Sequence, residues 1–154
     1  MRREIILELI KKIPGITYNE IVRKTGLSNG VISHYLIKLL DNKEIEKEGT
    51  KRGKYFVKKI PKNDRALITL LRNKTNNDIF KILMKNSNDV LSVTKIKTIV
   101  KKSDSTISVS LKILQKNGVI ERMIMNKSTK LTNDIGYRIY NKKLWNTFII
   151  KYNL

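Results

Sequence analysis

The stretch that decides the fold is Gly15-Ile16-Thr17-Tyr18-Asn19-Glu20-Ile21-Val22-Arg23-Lys24-Thr25-Gly26-Leu27-Ser28-Asn29-Gly30-Val31-Ile32-Ser33-His34-Tyr35-Leu36. Ile21 and Val22 predict the inner face of a short helix over about residues 18–24, and Gly26 ends it as a residue in the left-handed conformation does. Ser28 has the position of an N-cap for a longer helix reaching about Asn42. Ile32, Leu36, Leu39 and Leu40 form its apolar stripe, and the opposite face carries Asn29, Ser33, His34 and Lys38.

Working outward, Ile5, Ile6, Leu9, Ile10 and Ile13 recur at helical spacing over residues 3–13, and Pro14-Gly15 stops that helix. Downstream, residues 44–48 and 54–58 read as two strands around Gly49-Thr50-Lys51-Arg52-Gly53. Three helices followed by a basic hairpin is the winged-helix order. The order then repeats. Ile79 to Met84 predicts a helix, residues 92–100 a second, and Ser103 caps a third reaching about Asn117; strands follow near residues 119–124 and 137–140. A shift of 75 residues superposes Ser28 on Ser103, Ile32 on Ile107, Leu36 on Leu111, Leu39 on Leu114 and Ile45 on Ile120. The expected fold is mainly α with small β-hairpin wings (α+β): two tandem winged helix-turn-helix domains plus a C-terminal helix. The domains are expected at residues 1–60 and 76–154. Residues 61–75 form a helical linker between them, since Ala66, Leu67, Ile68, Leu70 and Leu71 are too apolar for a floppy connection. Leu144, Trp145, Phe148, Ile149 and Tyr152 stripe the last helix, which either covers the second core or forms a dimer surface.

The segment of residues 15–36, with the Gly-flanked basic hairpin tip after it, resembles the helix-turn-helix of winged-helix regulators. It is most similar to archaeal proteins of the broad ArsR/MarR-like class; the second domain matches in pattern rather than in residue type. The resemblance implies that the third helix enters the major groove and the wing tip lies along the backbone or minor groove. Carried onto this sequence it implicates Ser28, Asn29, Gly30, Ser33, His34 and Lys38, with Lys51, Arg52 and Lys54 in the wing.

The charge points the same way. There are 33 Lys+Arg against 13 Asp+Glu, a formal net charge of +20, and self-repulsion on that scale favours a polyanionic partner. Double-stranded DNA is the expected partner. RNA is disfavoured because single-strand readers stack bases on exposed aromatics, and the 6% of aromatic residues here fall largely on packed faces. The absence of cysteine excludes disulfides, thiolate metal sites and cysteine nucleophiles, and His34 is the single histidine, so no metal, cofactor or enzyme chemistry is expected. Apolar runs fall far short of ~18 residues, so the expected location is cytoplasmic and nucleoid-associated, with no membrane partner. The chain acts either as a monomeric pseudo-dimer or as a homodimer through its terminal or linker helices. Two further readings stay open: an architectural, chromatin-type DNA-binding protein, and a protein-interaction scaffold of the transcription machinery.

Chemistry independent of the resemblance supports the same residues. Short polar side chains near a helix N-terminus approach base edges and phosphates, and the free N–H groups at Ser28–Gly30 attract a phosphate. Asn29 has the geometry to pair bidentately with adenine. Gly30 either lets the DNA backbone approach closely or serves packing. Lys51, Arg52 and Lys54 suit phosphates, which set affinity and register. In the second domain Ser103, Ser105, Thr106, Ser108, Ser110 and Lys112, with Lys127 and Lys130 in its longer wing, are weaker candidates. Asp104 places a negative charge where a phosphate would approach, and it also favours the helix dipole.

Overall fold

The computed structural model describes residues 1–125 and 135–154. In chain order the elements are α1 (Arg2–Lys12), β1 (Ile16–Thr17), α2 (Tyr18–Thr25), α3 (Asn29–Asp41), β2 (Ile45–Glu48), β3 (Lys54–Val57), α4 (Lys62–Arg72) and α5 (Lys74–Lys85). They continue with β4 (Leu91–Ser92), α6 (Val93–Val100), α7 (Asp104–Lys116), β5 (Ile120–Ile124), β6 (Ile135–Ile139) and α8 (Lys142–Tyr152). Contacts divide the chain into two compact units, Met1–Thr69 with Lys151–Leu154, and Leu70–Ile150.

In the first unit the helix boundaries follow from local chemistry. Thr17 and Glu20 form a capping box at the start of α2, Thr17 N donating to Glu20 Oε2 at 2.8 Å, an arrangement worth about 1 kcal/mol. Gly26 ends α2 at φ 68°, a conformation that strains any residue with a Cβ. Ser28 caps α3, its side chain accepting from Val31 N. The wing is a three-stranded antiparallel sheet in the order β1-β3-β2, with Ile16 opposite Tyr55 and Glu48 opposite Lys54. The two-residue strand β1 is too short to carry an alternation, so periodicity does not reveal it. Ile6, Ile10, Ile21, Ile32, Leu39, Ile45 and Phe56 are fully or almost fully buried and make the core.

The second unit repeats this order, and β1, α2 and α3 recur as β4, α6 and α7 at an offset of 75 residues at both ends of each element. Core positions obey the same offset: Ile96, Ile107, Leu111, Leu114 and Ile120 are buried as Ile21, Ile32, Leu36, Leu39 and Ile45 are. The register shifts in the first helix, where buried Ile79 and Leu83 of α5 stand 73 residues beyond Ile6 and Ile10 of α1, and it is lost in the hairpin, which is longer in the second copy, with Ile120 opposite Ile139 and Ile124 opposite Ile135. One expected boundary moves: α5 begins at Lys74, because Asn73 caps it by accepting from Asn76 N at 3.1 Å, so α4 and α5 are separated by a single residue. Trp145 of α8 is buried edge-on against Phe80, at 6.1 Å between ring centroids, and it closes the core of the second unit.

Two side-chain arrangements stiffen the first unit. Arg65 of α4 is 3% exposed and donates to Glu46 at 2.6 Å, to Glu48 at 2.9 Å, and to the carbonyls of Ile60 at 2.9 Å and Lys58 at 3.0 Å. It thereby ties the wing strand β2 to α4. Tyr152 donates its hydroxyl to Asp64, and burial together with that acceptor pushes its pKa up to about 12. A phenol held neutral by folding stabilises fully below its ordinary pKa of 10 and ceases to do so as pH rises through about 12. Burial raises the Tyr55 phenol as well, so absorbance titration of the six tyrosines should show a late-ionising fraction, and Tyr152→Phe should remove its last part, near pH 12.

Candidate nucleic-acid interface

The first turn of α3 is exposed, and one residue organises it. Tyr18, the first residue of α2, donates its hydroxyl to the Asn29 carbonyl at 2.9 Å and lies 3.0 Å from Ser33 Oγ and 3.4 Å from Asn29 Oδ1. It crosslinks the two helices of the turn and leaves Ser33 half-buried and already engaged, whereas Asn29 and Gly30 stay open to solvent. Gly30, His34 and Lys38 are four residues apart, so they line one exposed strip of the helix. His34 rests edge-on against Tyr35, with ring centroids 5.1 Å apart. A Cβ built on Gly30 would meet nothing within 4 Å, so packing does not require the glycine.

Between α2 and the wing lies an open cleft of about 590 Å³, bounded by Tyr18, Asn19 and Arg23 of α2 and by Lys47, Lys51 and Arg52 of the wing. Lys51 and Arg52 are exposed at the tip, while Lys54 is half-buried in β3 between Thr17 and Glu48. Gly49 turns the tip at φ 86°. Sequence reasoning missed Tyr18, Arg23 and Lys47. The signal for Lys47 was present, because β2 alternates and sends Lys47 away from the face on which Glu46 and Glu48 meet Arg65.

The electrostatics are sorted by position. Glu44 pairs with Arg3, Glu46 and Glu48 with Arg65, Glu8 with Lys11, and Glu4 with the N-terminal amine, while Glu20 closes the capping box and Asp64 accepts from Tyr152. Among the described residues, by contrast, Arg23, Lys38, Lys47, Lys51, Arg52 and Lys54 enter no ion pair. The acids of the unit, Asp41 apart, are engaged in these contacts and none of them lines the cleft, whose cations Arg23, Lys47, Lys51 and Arg52 enter no ion pair. Residues 3–42 match the family model of winged helix-turn-helix DNA-binding domains.

The first unit has the winged helix-turn-helix fold. A comparison with curated proteins found no match. The crystal structure of a conserved hypothetical protein from Chlorobium tepidum aligns over 99% of this chain and 98% of its own, at 11% identity and a TM-score of 0.36, too low to bear on fold or function.

In the second copy of the helix-turn-helix, Ser103 caps α7, accepting from Thr106 N at 3.2 Å, and its hydroxyl also meets those of Ser105 at 3.2 Å and Thr106 at 2.7 Å. Ser105, Thr106, Ser108 and Lys112 are exposed, as a reading face requires. Ser110 is corrected: it is 5% exposed, since it lies on the inner side of α7, next to Leu111. Asp104 meets Lys97 at 3.4 Å, which offsets part of its charge at the helix start. Lys127 and Lys130 lie outside the described residues. Among the described residues no helix is long and apolar enough to cross a membrane.

Proposed function

We propose that the protein is a sequence-specific, double-stranded DNA-binding transcriptional regulator of the ArsR/MarR-like kind, working from the cytoplasm on the nucleoid. Its residues 1–60 and 76–154 act as two reading heads joined by the helical segment 61–75. The observation that carries the proposal is the sorting of charge in the first unit: six cations around α3 and the wing lack ion pairs, while almost all its acids are engaged elsewhere. Coulomb attraction brings the duplex to that face, and α3 then enters the major groove. Ser28, Asn29 and Gly30 meet base edges and the nearest phosphate, Ser33, His34 and Lys38 line the groove wall, and Lys51, Arg52 and Lys54 hold the backbone. In the second head Ser103, Ser105, Thr106, Ser108 and Lys112 make the corresponding, weaker contacts. One chain then covers two half-sites as a pseudo-dimer.

Asn29→Ala tests the reading. If Asn29 pairs with a base, the variant should lose ~1–3 kcal/mol of discrimination between a selected duplex and random duplex, with little change on random DNA. Equal losses on both would remove Asn29 as a reader and favour an architectural DNA-binding protein. Gly30→Ala separates folding from binding. With space for the Cβ and a helical position, thermal unfolding should show a gain of about 0.5–1 kcal/mol, whereas DNA affinity should fall because the methyl group obstructs the approaching backbone.

A further inference from the structure

The two helices that the 75-residue offset superposes, α3 and α7, present different chemistry at matching positions. Val109 stands where α3 has His34, and Ile113 where it has Lys38. Both are apolar yet exposed, by 57% and 39%, and their spacing of four residues makes them neighbours on one strip. On α3 a single apolar residue, Ile37, is comparably exposed, at the position of Lys112.

Resting on the DNA-reading function proposed above, we infer that Val109 and Ile113 read thymine, packing against the C5-methyl groups that T alone displays in the major groove. The two heads then differ in base preference, the first reading through polar groups and the second through methyl contacts. Charge argues for DNA as the occupant. The unit holding α7 has 16 basic against 5 acidic residues, Lys112 and Lys116 flank the apolar strip, and Asp104, the one acid on the helix, is paired with Lys97. The surroundings argue against a protein in that place. Two apolar side chains ringed by lysines and by the hydroxyls of Ser105 and Thr106 lack the lysine-poor apolar centre of a protein interface. Thymine methyls, in contrast, are small apolar targets set among phosphates, and contact with aliphatic side chains is how they are told apart from the other bases.

The test uses the full chain and a duplex selected from a random pool. Each thymine is replaced in turn by deoxyuridine, which pairs identically and lacks only the methyl group, and affinity is read by fluorescence anisotropy. Each contacted methyl should cost the native chain about fourfold, the value of one buried carbon. Val109→Ala and Ile113→Ala, which touch an exposed strip and should fold normally, should bind the all-thymine site more weakly and be indifferent to deoxyuridine at those positions. Equal sensitivity of Val109→Ala and the native chain at every thymine would overturn the inference while leaving duplex reading intact. So would a change in oligomeric state on Val109→Ala in the absence of DNA, which would assign the strip to a second copy. Absence of any duplex preference would overturn both this inference and the function it rests on.

Discussion

Affinity for duplex DNA is expected to fall about 10³-fold between 50 and 200 mM salt if the six cations named around α3 and the wing each release one condensed counterion, a slope of about −5 in log–log form. Participation of the second unit would raise the number of contacts toward ten and the loss toward ~10⁵-fold. Position matters as well as number, because Arg23, Lys47, Lys51 and Arg52 line one cleft, Lys38 stands on the exposed strip of α3 and Lys54 on β3. Arg52→Ala should weaken binding to every sequence by a similar factor and make the slope shallower by about one. Arg3→Ala, which removes a cation already paired with Glu44, should change the slope little. A shallow slope in the native chain, or equal effects of the two substitutions, would contradict the claim that charge is sorted for DNA.

The second large effect concerns Arg65. Arg65→Met should destabilise the first unit by about 3 kcal/mol, since it strands the carbonyls of Ile60 and Lys58 and leaves two carboxylates without their cation. Glu46 and Glu48 are themselves 39% and 45% exposed, and water limits the penalty at their end of the network. The triple variant Arg65→Met, Glu46→Gln, Glu48→Gln should recover much of the loss. Affinity should track the same series only through folding, because β2 holds both carboxylates on the face opposite Lys47, away from the cleft. Acid gives an independent check. The hydrogen bond from Arg65 holds the Glu46 carboxyl below its ordinary pKa of 4.5, so its contribution is present above that value and is lost as pH falls through the lowered one. Denaturant titrations from pH 6 downward should show the native chain losing stability through the acid range more steeply than Glu46→Gln.

The helix-turn-helix was legible because it is made of local signals. Ser28, Gly26 and the stripe Ile32, Leu36 and Leu39 each act within one or two turns of helix, and the structure has them as cap, left-handed terminus and core. The repeat was legible for the same reason, since its two copies keep cap, stripe and strand start in one register. What escaped the sequence is non-local. Arg65 finds its partners 17 and 19 residues away, and in a linear reading an arginine beside Asp64 looks like part of a solvated face. Tyr18 reaches 11 and 15 residues along the chain to Asn29 and Ser33, so its place in the interface depends on the crossing of α2 over α3. The capping asparagine at Asn73 was hidden by its neighbours Lys74 to Asn77, an asparagine-rich run that reads equally well as a connection.

Fluorescence anisotropy of the intact chain with a labelled duplex and with single-stranded RNA of the same sequence, in one buffer of fixed salt, tests the central claim most directly. Clear preference for the duplex is expected, because on the proposed function α3 enters a groove and the wing holds its backbone, while the aromatics that would stack single-stranded bases are largely buried. Equal or tighter binding of the RNA would contradict it.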